Sequence, residues 1–100
     1  MVNLSYSNVK ESHLSKLLFD IEAEWLRQDI KFPNQEHNIF KWLSIITKEI
    51  GEINKEALEL KSNCYNRSKI QAELLQAITL LIRLKLSMIS VDYIDDTIII

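Results

Sequence analysis

Hydrophobic side chains recur along most of this chain at steps of three and four residues, the period that lines up one face of an α-helix. Leu14, Leu17, Leu18, Ile21, Trp25 and Ile30 form the first such set and predict a helix from about residue 9 to about residue 30. Asn8, followed three residues later by Glu11, is placed to open it as a capping box, each side chain meeting a free backbone N–H of the other. Phe32-Pro33-Asn34 closes it, because a residue before proline is pushed out of helical angles. A second set, Ile39, Leu43, Ile46, Ile50, Ile53, Ala57 and Leu60, keeps its register without a slip. It predicts a second helix, capped by Asn34, with one apolar stripe facing a partner helix throughout. The polar run Lys61 to Arg67 ends it.

A third helix is expected from the capping pair Ser68 and Gln71 to about Ser90. It is apolar on more than one face, through Ile70, Leu74, Leu75, Ile78, Leu81, Ile82, Leu84 and others. Three helices of one chain cannot cover that surface, and another copy of the chain is the natural cover. The tail from Val91 to Ile100 mixes Asp92, Asp95 and Asp96 with four isoleucines; a short helix and an extended arm both fit it. The expected fold is therefore all-α, a helical bundle of three main helices plus a short C-terminal segment. Its four-helix-bundle-like core would be completed by oligomerisation to a dimer or tetramer.

The 100 residues make a single domain, residues 1–100, and with one Gly and one Pro an all-β fold rich in tight turns is excluded. Twelve basic against fourteen acidic side chains give a net charge of −2 with no basic stripe, which argues against nucleic acid as a partner. The longest uncharged apolar-rich stretch, Leu74 to Ile82, falls far short of the ~20 residues that span a bilayer, so no membrane partner is expected. A single cysteine, Cys64, allows no internal disulfide and no cysteine-based zinc site; the first residues lack the order of a signal peptide. A cytoplasmic location is the expectation.

Chemistry is suggested by the acidic side chains of the second helix. Glu49 and Glu52 project from one face about a turn apart, and Glu56 and Glu59 continue the line beside the apolar stripe. Two readings stand: a solvated face paired with Lys48 and Lys55, or a site. Gly51, the only glycine, lies between the first two glutamates, where it costs about 1 kcal/mol relative to alanine. Tight helix packing, or a ligand close to the backbone, would account for it. On the third helix Glu73 and Gln76 form a polar notch among apolar residues. Antiparallel pairing of helices two and three would bring Glu49, Glu52, Glu73 and the amide oxygen of Gln76 together. Hard oxygen ligands of this type suit Mg2+.

KEIGE (Lys48 to Glu52) followed by AELLQ (Ala72 to Gln76) resembles the ExxE…ExxD pattern of the all-α NTP pyrophosphatase superfamily, in its MazG-like branch. The segment RQDIKFPNQEHNIFKWLSIITKEIGE, Arg27 to Glu52, is similar to small single-domain MazG-like proteins of phages and gene cassettes, and the likeness runs from about Ile21 to about Ile89. The resemblance implies a Mg2+-dependent enzyme that hydrolyses nucleoside triphosphates, often deoxynucleotides or damaged ones, to the monophosphate and pyrophosphate. Carried over by position, Glu49, Glu52 and Glu73 are the catalytic metal ligands. Gln76 stands where the pattern has aspartate; its amide oxygen can ligate a cation but brings no charge.

The same resemblance places His37 near the nucleotide, although an exposed loop histidine fits as well. Trp42, and with less weight Trp25 and Phe32, offer a stacking face for a base, against the alternative of ordinary core aromatics. Lys48 and Lys55 are candidates for phosphate, or solvated lysines, and Arg83 is a candidate for phosphate or an intersubunit carboxylate. His13 reads as surface, and Cys64 has no base beside it to make it a nucleophile. A reading of another class also stands: a non-catalytic helical oligomerisation or interaction protein that keeps the MazG-like fold.

Overall fold

A computed structural model describes residue 5 and residues 7–59 and 67–99. Three helices account for most of them: α1 (Glu11–Lys31), α2 (Ile39–Glu59) and α3 (Arg67–Ile99). The fold is all-α, with no strand among the described residues. The polar run after α2, with Cys64, and the N-terminal side chains before Ser5 lie outside the described residues.

The ends of the helices correct several expectations. Asn8 and Glu11 do not form the opening box, because the N-cap of α1 is Lys10, two residues later than that pairing requires. Lys10 is the extended residue at its start, and its backbone N–H donates to His13 Nδ1 at 2.9 Å. His13, expected to be an idle surface residue, thus satisfies a backbone donor at the mouth of α1. At the other end Phe32 leaves helical angles ahead of Pro33 while its N–H still donates to the Gln28 carbonyl at 2.8 Å. Asn34 then takes a positive φ of 59°. It turns the chain instead of capping α2, a conformation asparagine tolerates better than most residues. The cap is Asn38, whose Oδ1 accepts from the Lys41 N–H at 2.9 Å. Ser68 and Gln71 both fall inside α3, so the Ser68 cap does not hold either. The C-terminal segment is not a separate element: α3 runs through it to Ile99 as one helix of 33 residues. At ~1.5 Å per residue such a helix is about 50 Å long, which sets the 55 Å long axis of the molecule.

α3 is the central element. α1 and α2 each pack on it and do not pack on each other. The apolar core is small: Ile21 from α1, Ile46 from α2 and Ala77 from α3. Thr79 is fully buried beside them, its hydroxyl donating to the Leu75 carbonyl at 2.7 Å. The α2 stripe is not covered throughout, since Ile39, Leu43 and Ile50 remain exposed. The line on α2 that is sheltered runs Trp42, Ile45, Ile46, Glu49, Ile53, Glu56. The acidic line therefore does not lie beside the sheltered face; two of its members, Glu49 and Glu56, are part of it. With a single partner helix, α2 turns toward α3 the side that forms the best contact, and the rest of its apolar stripe is left open. No helix among the described residues is long and apolar enough to cross a membrane.

Candidate functional site

Two helices laid on a third without touching each other leave a space between them. Here it is a cleft of about 330 Å³, at the lower end of the ~300–1,000 Å³ of small-molecule sites. Its walls follow from helical spacing. α1 supplies Arg27, Gln28 and Lys31, and α3 supplies Gln76, Leu80 and Arg83. The opposite wall comes from α2, through Trp42, Ile45, Lys48 and Glu49, while Phe32 and Gln35 close the end where the chain turns from α1 to α2.

Four of the residues singled out from the sequence as site members meet here: Trp42, Lys48, Glu49 and Gln76. His37 stands behind the aromatic wall, edge-on to Trp42 with ring centroids 4.9 Å apart, and its Nε2 lies 2.7 Å from Gln35 Oε1. Arg83, a lesser candidate, lines the cleft as well. Lys55 is exposed and does not line the cleft; it sits two turns along α2 from Lys48.

Glu49 and Glu73 are the unusual pair. Each has a carboxylate oxygen, Oε2, buried and without a hydrogen-bond partner among the described residues. An unpaired buried acceptor is costly, so native structures hold few of them. Burial pushes the Glu49 carboxyl above its ordinary value, and the charges of Glu52 and Glu73 push it further, against the opposing pull of Lys48 and Arg27. Glu52 itself is exposed. Antiparallel packing of α2 on α3 has thus brought Glu49, Glu52 and Glu73 within electrostatic reach of one another. Among the described residues, however, no three carboxylate, imidazole or thiol groups stand close enough to hold a metal ion as they are.

A second polar group was missed from the sequence. Glu24 is buried at 8% exposure on α1, and Arg27 grips it through Nε to Oε1 at 2.7 Å and Nη2 to Oε2 at 2.8 Å. Gln28 Nε2 donates to the same Oε2 at 2.9 Å. Burial raises the Glu24 pKa, but the hydrogen bonds from Arg27 and Gln28 and the charges of Arg27 and Lys31 outweigh it and hold the carboxyl below its ordinary value. A signal existed: Glu24, Arg27, Gln28 and Lys31 are spaced three, four and seven apart, one face of a helix, directly after Ile21 in the apolar stripe.

No family model matches the chain, and neither the curated proteins nor the solved structures hold a significant match to it. The site is therefore read from its own chemistry. Four cationic side chains and one carboxylate line a cleft with an aromatic wall, and two unpaired buried carboxylate oxygens belong to the α2–α3 contact beside it. The cations suit an anionic ligand, the indole suits a flat one, and the carboxylate oxygens suit a hard cation.

Proposed function

We propose that this chain is a Mg2+-dependent nucleoside triphosphate pyrophosphohydrolase, acting on (d)NTPs to release the monophosphate and pyrophosphate. One observation carries the reading: the unpaired, buried Oε2 atoms of Glu49 and Glu73 in the α2–α3 contact, beside a cleft that Glu49 shares with four cationic side chains. Two hard anionic donors with no partner fit a divalent cation, and Glu52 beside them adds a third carboxylate. Gln76 on the cleft wall offers a neutral fourth oxygen. Bound there, Mg2+ would neutralise charge on the phosphate oxygens and lower the pKa of a bound water.

The residues of the chain supply the rest. Arg27, Lys31, Lys48 and Arg83 draw a polyphosphate into the cleft and offset the charge that develops on it. Trp42, held edge-on by His37, gives a base a face to stack on. Water adds to the α-phosphorus and gives up a proton to solvent, the bond to the bridging oxygen breaks, and pyrophosphate leaves. The test is pyrophosphate release from a dNTP mixture with and without Mg2+; release no faster than in a protein-free blank overturns the reading. Gln76→Asp and Gln76→Glu refine it: a lower Mg2+ requirement in either variant places Gln76 among the ligands, and an unchanged requirement in both removes it.

The proposal includes assembly into a homo-oligomer. Leu74, Leu81, Leu86, Met88 and Ile89 of α3 are all exposed at 39–46%, and Phe40 of α2 at 77%. Among the described residues nothing covers these side chains, and exposed apolar surface of this kind marks an interaction site. Light scattering at micromolar concentration should give at least a dimer. The same exposed surface favours a second reading, an interaction protein without turnover, to which a blank pyrophosphate assay would point.

A further inference from the structure

We propose that Gln28 is a positioning residue, which holds the Arg83 guanidinium on the cleft wall so that Arg27 and Arg83 together grip a polyphosphate chain. The proposal deepens the reading above and rests on the same cleft being the substrate site. Anion binding, however, can be measured without turnover.

The buried amide of Gln28 has only one sensible orientation. Its Nε2 faces Glu24, an acceptor, at 2.9 Å, and its Oε1 faces Arg83 Nη1, a donor, at 3.0 Å. Turning the amide over would break both contacts, because an ionised carboxylate cannot donate and a guanidinium cannot accept. At 7% exposure Gln28 has little water to replace them. Arg83 is confined on two more sides: Nη2 meets Asp29 Oδ1 at 2.6 Å, and the guanidinium lies 5.0 Å from the centre of the Trp25 ring. Its remaining N–H donors belong to a side chain that lines the cleft. Arg27 is fixed in the same way by the two oxygens of Glu24. One buried pair, Glu24 and Gln28, therefore sets two guanidinium groups that reach the cleft from different helices. A planar fork held in advance loses less freedom when it binds phosphate oxygens than a loose one does.

The ligand class follows from charge. Arg27, Lys31, Lys48 and Arg83 come from three helices to one cleft whose only lining carboxylate among the described residues is Glu49. Glu24 and Asp29 already meet part of the charge of Arg27 and Arg83, but each guanidinium keeps further N–H donors, and donors set on separate helices suit a chain of phosphates, with its row of acceptor oxygens, better than one compact monoanion.

The experiment titrates the full-length chain with inorganic tripolyphosphate in EDTA by calorimetry. Gln28→Met, Arg83→Met and the double variant are compared with Lys41→Met, which removes a lysine outside the cleft. Wild type and Lys41→Met should bind alike. Arg83→Met should weaken binding about tenfold, in line with the loss of a charge-assisted hydrogen bond, and Gln28→Met should weaken it several-fold. The double variant should be no weaker than Arg83→Met alone, because Gln28 acts through Arg83. Additive losses, an unchanged Gln28→Met, or no tripolyphosphate binding by the wild type overturns the proposal. If Gln28→Met does not fold, Arg83→Lys carries the test. Its ammonium cannot bridge Gln28 and Asp29 as the fork does, and unchanged affinity there counts equally against it. Tripolyphosphate binding without pyrophosphate release from dNTPs would remove the hydrolase reading and keep this one; full turnover by the double variant would do the reverse.

Discussion

The two contacts that α3 makes are built on opposite principles. Against α1, the polar side chains satisfy one another: Glu24 receives Arg27 and Gln28, while Arg83 reaches Gln28 and Asp29. Against α2, Lys69 pairs with Glu56, but Glu49 and Glu73 each bury an oxygen that has no hydrogen-bond partner among the described residues. The first arrangement is complete in the protein alone. The second costs free energy as it stands, and an added cation would repay that cost. A satisfied network holds shape, whereas an unsatisfied pair marks the place where something else binds.

The largest effect should come from the α2 side. Glu49→Gln and Glu73→Gln are each expected to lower Mg2+-dependent pyrophosphate release by about a hundredfold or more, as befits groups that organise charge stabilisation. Circular dichroism should show the helices intact. In the absence of metal, Glu49→Gln should be more stable than the wild type by about 1 kcal/mol, since it removes a poorly solvated charge next to two others. Equal or lower stability in a urea melt would show that Glu49 is not held at a cost.

The same substitution on the α1 side should do the opposite. Glu24→Gln keeps the shape but loses the charge that Arg27 and Gln28 meet, and should destabilise the fold by about 1–2 kcal/mol. The two sides also respond oppositely to acid. The folded pKa of Glu24 is lowered, so its contribution is present above the ordinary carboxylate value and is lost as pH falls through the folded one. Glu49 has a raised folded pKa, so its ionised form disfavours the fold at neutral pH, and that penalty is relieved as pH falls through the raised value. Stability followed by urea melts should therefore hold or rise as pH falls through the range above the ordinary carboxylate value, and fall below that value. Glu49→Gln should erase the first phase and Glu24→Gln should blunt the second.

Mg2+ offers an intermediate test. It should raise the melting temperature of the wild type, as any ligand of the folded state does, and leave that of a Glu49→Gln, Glu73→Gln double variant unmoved. An equal rise in both proteins would move the cation elsewhere. The smallest effect is expected at Gly51. A methyl group there meets nothing within 4 Å among the described residues, so their packing does not explain the glycine. Gly51→Ala should stabilise the isolated subunit by about 0.5–1 kcal/mol through helix propensity. A drop in pyrophosphate release despite that gain would show that a ligand or a second copy approaches this backbone.

Local sequence signals, and the limits of what they reach, explain which parts of the molecule were legible beforehand. The helical periods of Leu14 to Ile30 and Ile39 to Leu60 place α1 and α2 within a few residues, because burial on one face repeats with the turn of the helix. Pro33 places the break between them for a purely local steric reason. The caps were less legible. Asn8, Asn34 and Ser68 all satisfy the compositional rule, but His13 and Asn38 perform the work at α1 and α2, since capping depends on where the backbone leaves the helix. Cleft membership divided in the same way. Trp42, Lys48, Glu49 and Gln76 were visible as chemistry on known helix faces, while Arg27, Gln28 and Lys31 looked like ordinary polar positions on α1.

The sequence by itself determined the all-α class, the number of main helices and the acidic positions on α2 and α3, because all of these depend on residue type and spacing along one chain. Tertiary structure decided which faces meet. It set α3 between α1 and α2, turned Glu49 and Glu73 into the α2–α3 contact without partners, and joined Glu24, Gln28 and Arg83 across more than fifty residues of chain. The physical reason is that the cost of a buried charge depends on what stands opposite it, and what stands opposite is fixed only when the helices pack.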